Sequence, residues 1–312
     1  MPDARPVADG FLALDADAAT ATLASRWLPA AHRAASPPTV RLTLAAPGPL
    51  PPATDSPPTL SLGGIAAWLP GAGAPVTLAG RHAGGALATD ARSATLVTGG
   101  DDDEGYSLLT LAAALALAAH GRLLLHAAAL VDPLGRGWLL AADARHGKTT
   151  TALNLARAGW TLVSDDQVVL MAGDAAPHAL AWRRYAHVDE GWGDGRITGH
   201  RVAADASTLG VALGDGCGVH GMLLPRIEAD APTALTEASG ADALAALIRQ
   251  APWVLASPAW APALLALATA AARAPAWHLR LGRDTYADPP RLAALVSAAS
   301  PPTAPRAGPP PG

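Results

Sequence analysis

The sequence predicts an α/β protein with a phosphate-binding-loop core over residues 104–299, a smaller N-terminal β-rich lobe over 1–103 and a disordered tail over 300–312. Three observations carry this expectation. From Leu123 to Asp166 the chain reads strand, turn, strand, loop, helix, strand, acidic pair, the order of a phosphate-binding α/β unit. Within it, Ala142 to Thr149 follows G-x-x-x-x-G-K-[ST] with Ala142 in place of the first glycine. Before it, the first hundred residues alternate short apolar pieces with turn residues, as small β-rich units do.

In chain order, the apolar pieces "TVRLTL", "PVTLAG" and "SATLVTGG" supply short strands of the first lobe. Proline density over about residues 34 to 58, and again from Ser300, removes backbone donors, so both stretches read as loops, edge connections or linkers. The carboxylates Asp101 to Glu104 stand just before an apolar run, where they favour the positive end of a helix; a solvated acidic loop is the plainer reading. The run itself, Leu108 to Ala119, falls short of the roughly 20 residues that span a bilayer and reads as a buried helix. Next come an apolar run "RLLLHAAALV" of strand length, a "DPLGRG" turn, a second run "GWLLAA", and the loop. A helix "KTTTALNLARAG" stopped by Gly159 and a strand "WTLVS" leading into Asp165 and Asp166 complete the unit.

Bulk properties narrow the function. The chain has 312 residues, half of them apolar and 15% charged, which suits a folded protein with a lean, alanine-rich core. A net charge of -4 and no basic cluster interleaved with aromatics argue against nucleic acid as a partner. One cysteine, Cys217, forms no internal disulfide, and the first residues lack the pattern of a secretory signal, so a cytoplasmic, non-membrane protein is expected.

Composition also singles out the loop. Of the 22 basic residues 21 are arginines, and Lys148 is the only lysine. A lone lysine would fall between a glycine and a hydroxyl residue about one time in a hundred at these frequencies. Arginine is a poor replacement there, because a planar guanidinium is too wide for a loop wrapped around a phosphate, whereas a compact ammonium fits between β and γ oxygens. The methyl of Ala142 is tolerable where the local φ is negative. Gly147 lets backbone N–H groups approach the phosphate. The candidate nucleotide-binding residues are therefore Ala142, Asp143, Ala144, Arg145, His146, Gly147, Lys148, Thr149 and Thr150, with Arg145 a candidate phosphate contact and His146 a variable loop position.

A loop that holds a triphosphate needs Mg²⁺, and the ion needs hard oxygen ligands. Thr149 offers a hydroxyl, and Asp165 and Asp166 end the next strand, where adjacent side chains point in different directions. One of the two carboxylates can reach the metal while the other faces a substrate hydroxyl as general base, so both are catalytic candidates and Asp165 and Thr149 the metal candidates.

The stretch Leu123 to Leu170, with His126 before the turn, the loop from Ala142 to Thr149, "LARAG" and "SDD", resembles the nucleotide-binding core of the HPr kinase/phosphorylase family, relatives of the phosphoenolpyruvate carboxykinase fold. The late pieces "GMLLPRIEADAPTALTEASGADALAALIRQ" and "WHLRLGRDTYADPPRLAALV" are similar to that family's later strands and helices. The resemblance covers about residues 104 to 298, with specific motifs in its first third. It implies ATP and Mg²⁺ as cofactors, Lys148 on phosphate, Thr149 on the metal, His126 near the γ-phosphate, and Asp165 and Asp166 divided between metal and base. Two features depart from the family: the first glycine is absent, and so is its downstream glycine-rich signature with a glutamate. Asp189, Glu190 and Arg196 in "HVDEGWGDGRI" occupy a comparable region, where a solvated loop is the preferred reading.

The expected function is thus an ATP-dependent kinase that phosphorylates a hydroxyl, a serine by resemblance, on a peptide or protein such as a precursor peptide. The alternative is a non-catalytic nucleotide sensor with a degenerate loop. A homo-oligomer is left open.

Overall fold

A computed structural model describes residues 5–7, 11–16, 20, 38–45, 48–51, 55–71, 73–99, 102–182, 185–190, 201–285 and 288–299. These residues build a mixed α/β fold with two large sheets, a two-stranded ribbon and five α-helices.

The first sheet takes its eight strands from β1 (Arg5–Val7), β2 (Leu12–Ala16), β3 (Val40–Ala45), β4 (Leu60–Leu62), β5 (Ile65–Trp68), β6 (Val76–Ala79), β7 (Ala83–Leu87) and β8 (Ser93–Thr98), in the order β1-β2-β3-β8-β7-β6-β5-β4. Alternation sets its buried face: Val40, Leu42 and Leu44 of β3 point inward while Arg41 and Thr43 are exposed. The strand expected at "TVRLTL", between the proline-rich pieces, is β3, an interior strand parallel to both β2 and β8. The prolines at 37, 38 and 47 fall outside it, so no ladder donor is lost.

Helix α1 (Asp102–Ala119) lies between this sheet and the second one, against β7 and β8 on one side and the short 3-10 turn Pro252–Leu255 on the other. Leu108 through Ala118 are buried without a break apart from the equally buried Thr110, which accounts for a run that is apolar all round. One hydrophobic cluster therefore runs from Leu12 of the first sheet to Ala276 of the second. The acidic stretch is not a solvated loop at Glu104: this buried carboxylate accepts hydrogen bonds from the backbone N–H groups of Arg81 and His82, tying the β6–β7 turn to the first turn of α1. No described helix is long and apolar enough to cross a membrane.

The second sheet and its attached elements comprise β9 (Leu123–Leu125), β10 (Ala127–Val131), β11 (Gly137–Ala141), α2 (Lys148–Arg157), β12 (Thr161–Ser164), β13 (Val168–Met171), β14 (His178–Ala181), the ribbon strands β15 (Tyr185–Asp189) and β16 (Arg201–Asp205), β17 (Gly216–Ile227), β18 (Ala234–Ala238), α3 (Gly240–Arg249), α4 (Ala261–Ala271), β19 (Ala276–Leu281) and α5 (Pro289–Ala299). The strand order is β12-β10-β11-β17-β14-β13-β9, with β19 beside β17 and β18 beside β19. The turn between β10 and β11 is locked by Asp132, which accepts from the N–H groups of Leu134 and Arg136, the Arg136 guanidinium and the Trp138 indole. A second core, built around Trp138, Trp160 and the buried faces of α2 and α5, lies on this sheet.

The sheet has a corner. Residues Gly216–Gly218 of the long β17 pair with β14, and its later residues pair with β11 and β19. Two other chain segments cross the same corner. Strand β9 pairs with β13 and β10 with β12, so the expected single strand "RLLLHAAALV" is broken at His126, which occupies a bend. The return crossing, between β12 and β13, consists of Asp165, Asp166 and Gln167.

Candidate active site

The corner brings together residues far apart in sequence. His126 and the pair Asp165 and Asp166 sit on the two crossings, and the loop following β11 ends at α2 beside them. His126 Nε2 lies 3.2 Å from Asp166 Oδ1. The Lys148 ammonium, on the first residue of α2, donates to the backbone oxygen of His126 at 3.1 Å. Lys148 is buried, and that burial lowers its pKa from the ordinary 10.5 to about 8, against the opposing pull of Asp166, then Asp165, then Asp143.

Loop geometry follows from two glycine-like positions. Gly147 caps α2 with φ 94°, a left-handed conformation, and a methyl group there would meet Leu281 Cδ1 at 2.7 Å. No side chain caps α2 at this position, so its leading amides keep their anion-binding capacity. Arg145 also has a left-handed backbone, φ 66°, where glycine is the unstrained residue. Ala142 is buried and has ordinary negative φ, so its methyl imposes no backbone strain. Asp143, Ala144 and Arg145 are exposed, His146 half-buried, and Thr149 and Thr150 half-buried on the first turn of α2.

The two aspartates have different surroundings: Asp165 is 3% exposed, while the Asp166 side chain is 21% exposed and faces His126. Among the described residues no group of three or more His, Cys, Asp or Glu is arranged to hold a metal ion. A cage made by protein alone is therefore not what this corner offers. Two carboxylates and the Thr149 hydroxyl suit Mg²⁺ that arrives with phosphate oxygens, since that ion keeps most of its shell in water and phosphate.

Three residues escaped the sequence reading. Gln250, buried at the C-terminal end of α3, accepts from His126 Nδ1 through Oε1 at 3.0 Å and donates through Nε2 to Asp143 Oδ1 at 2.9 Å. Its backbone oxygen also accepts from the His126 N–H at 3.1 Å. Gln167, beside the aspartates, accepts from the Tyr106 hydroxyl of α1 at 2.7 Å. Nothing local in the sequence marks these positions, because their roles arise from contacts across 61 to 124 residues. Of the remaining candidates, Asp189 ends β15 and Glu190 follows it, exposed, on the ribbon that packs against α2; Arg196 lies outside the described residues.

No family model matches the chain, and no curated protein does. Among solved structures, the Hpr(Ser) kinase/phosphatase from Coxiella burnetii is similar over 56% of this chain and 94% of that one, at 16% identity and a TM-score of 0.33.

Proposed function

We propose that this chain is a kinase that transfers the γ-phosphate of ATP to a hydroxyl, a serine, of a peptide or protein acceptor. One observation carries the reading: the sole lysine is buried at the head of an uncapped helix, behind a left-handed glycine, in a corner shared with His126, Asp165 and Asp166. The sequence resemblance supports it.

On this reading, the leading amides of α2 and the Lys148 ammonium hold the β and γ phosphates. Thr149 and Asp165 would hold Mg²⁺, which neutralises charge on the transferring group when bound. Asp166, the more exposed carboxylate, accepts the proton of the attacking hydroxyl. The new O–P bond forms as the bond to the β–γ bridging oxygen breaks, and that electron pair leaves with ADP. The first sheet contributes acceptor choice, a precursor peptide fits the acceptor class, and the cytoplasm is the proposed compartment.

The test is transfer of label from γ-labelled ATP to water and to serine-containing peptides. Lys148→Ala is expected to lose both binding and transfer. Asp166→Asn is expected to keep binding and lower turnover roughly 10² to 10⁴-fold. A chain that binds ATP and passes phosphate to nothing, unaltered by Asp166→Asn, is a sensor instead.

A further inference from the structure

Resting on that kinase reading, we propose that Gln250 is a positioning residue for ATP: its side-chain amide clamps Asp143 and so holds the phosphate loop in its binding shape before the nucleotide arrives.

The loop needs such a hold. Between β11 and α2 it contains two left-handed residues, Arg145 at φ 66° and Gly147 at φ 94°. The first of these is not a glycine, so the folded loop is strained, and a looser shape is favoured unless a contact opposes it. Inside the loop the hydrogen bonds are short-range: the His146 N–H donates to the Asp143 carbonyl at 3.3 Å, and His146 Nδ1 faces the Ala144 carbonyl at 3.1 Å. Among the described residues, Asp143 alone links the side chains of residues 142–147 to another element by hydrogen bond or ion pair.

Both of its partners stand at the C-terminal end of α3. Gln250 Nε2 lies 2.9 Å from Asp143 Oδ1, and Arg249 Nε lies 3.8 Å from the same oxygen. A carboxylate only accepts, so the amide presents its NH₂ group to Asp143 in a charge-assisted bond. The post to which the loop is tied is itself fixed at every end. Gln250 is 6% exposed, its N–H donates to the carbonyls of Ala246 and Leu247, its backbone oxygen accepts from the His126 N–H, and its Oε1 faces His126 Nδ1 at 3.0 Å. The Asp143 side chain, in contrast, is 55% exposed, so its ordering falls to the two contacts from α3.

The clamp also keeps a negative charge away from the place of the phosphates. Asp143 is near enough to act electrostatically on the Lys148 ammonium, and a carboxylate free to swing toward that ammonium competes for it with the β and γ oxygens. Held by the amide and shielded by the Arg249 guanidinium, it stays turned toward α3. The effect falls on binding: a loop that ATP must itself order binds it more weakly, in proportion to the time spent out of shape.

Nitrogen-15 order parameters of residues 143–147 in the nucleotide-free full chain read the clamp directly, and titration calorimetry reads Mg²⁺-ATP binding. The wild-type loop is expected near the rigid-backbone value of about 0.85. Gln250→Met fills similar space with no donor and no change of charge, so its loop should fall below about 0.6 and its Kd for ATP should rise roughly tenfold. Gln250→Glu sets carboxylate against carboxylate and should do at least as much damage. Asp143→Asn combined with Gln250→Glu reverses the bond, a side-chain NH₂ on the loop now donating to a carboxylate on α3, and should restore loop order and recover most of the lost affinity. A wild-type loop already below about 0.6 overturns the proposal, and this needs no variant to fold. So does Gln250→Met with wild-type order or wild-type affinity, or a double variant no better ordered than Gln250→Glu alone. The order parameters need no nucleotide, so a chain that binds no ATP ends the kinase reading while they still decide the clamp.

Discussion

Binding of ATP should draw a proton onto Lys148, and the amount follows from the corner's electrostatics. In the free chain burial holds this ammonium at about 8 instead of 10.5. That difference corresponds to about 3 kcal/mol against the charged form. A phosphate oxygen bearing a unit charge about 3 Å from the nitrogen returns about 5 kcal/mol at an effective dielectric constant near 20, more than enough to restore full protonation. Uptake should therefore track the neutral fraction of the free lysine: about 0.1 proton per ATP at pH 7, about 0.5 at pH 8 and about 0.9 at pH 9. ATP itself is fully deprotonated at the upper two values, so it adds nothing there. The assay is titration calorimetry with Mg²⁺-ATP in buffers of different ionisation enthalpy, where the slope of observed heat against that enthalpy gives the protons taken up. A profile flat from pH 7 up to pH 11 would refute the placement of phosphate on Lys148. A midpoint near 10 would refute the burial argument instead.

Two further expectations concern the scaffold. Arg145→Gly removes a side chain from a left-handed position, φ 66°, and should raise unfolding free energy by about 1 kcal/mol in urea denaturation; no gain means the loop does not hold that conformation. Glu104→Ala leaves the N–H groups of Arg81 and His82 without their carboxylate and should cost about 3 kcal/mol by the same assay, whereas a loss under about 1 kcal/mol would show that water replaces it.

What the sequence showed and what it hid divide along the range of the interactions. The buried run of helix α1, the turn at Asp132 and the helix after the loop were legible because each is fixed by neighbours a few residues away: an unbroken apolar run, a carboxylate inside its own turn, a glycine stop. The break at His126 was not legible. It carries no glycine or proline, and it exists only because Leu125 pairs with Val168 on one side of the corner while Ala129 pairs with Ser164 on the other. Gln250 was hidden for the same reason, lying 124 residues from His126 and 107 from Asp143. Glu104 was misread because a carboxylate beside other carboxylates looks solvated until a turn 22 residues upstream supplies its donors.

The corner also gives a physical reason for a single lysine in a chain otherwise stocked with arginine. Where strands part, the peptide groups of His126 lack sheet partners, and here its N–H goes to Gln250 and its C=O to the Lys148 ammonium. Building the site and satisfying the backbone are thus one arrangement, and the ammonium is needed at the carbonyl even before any nucleotide arrives. An ammonium has three hydrogens, so it can keep the His126 carbonyl with one and still offer two to phosphate oxygens. A guanidinium is planar, and its donors fan out in one plane, so it cannot straddle a carbonyl behind it and a phosphate in front within the space of one buried side chain. On the kinase reading, Lys148→Arg should therefore disturb His126 as well as phosphate, which makes the backbone duty of this residue as strong a constraint on its identity as its charge.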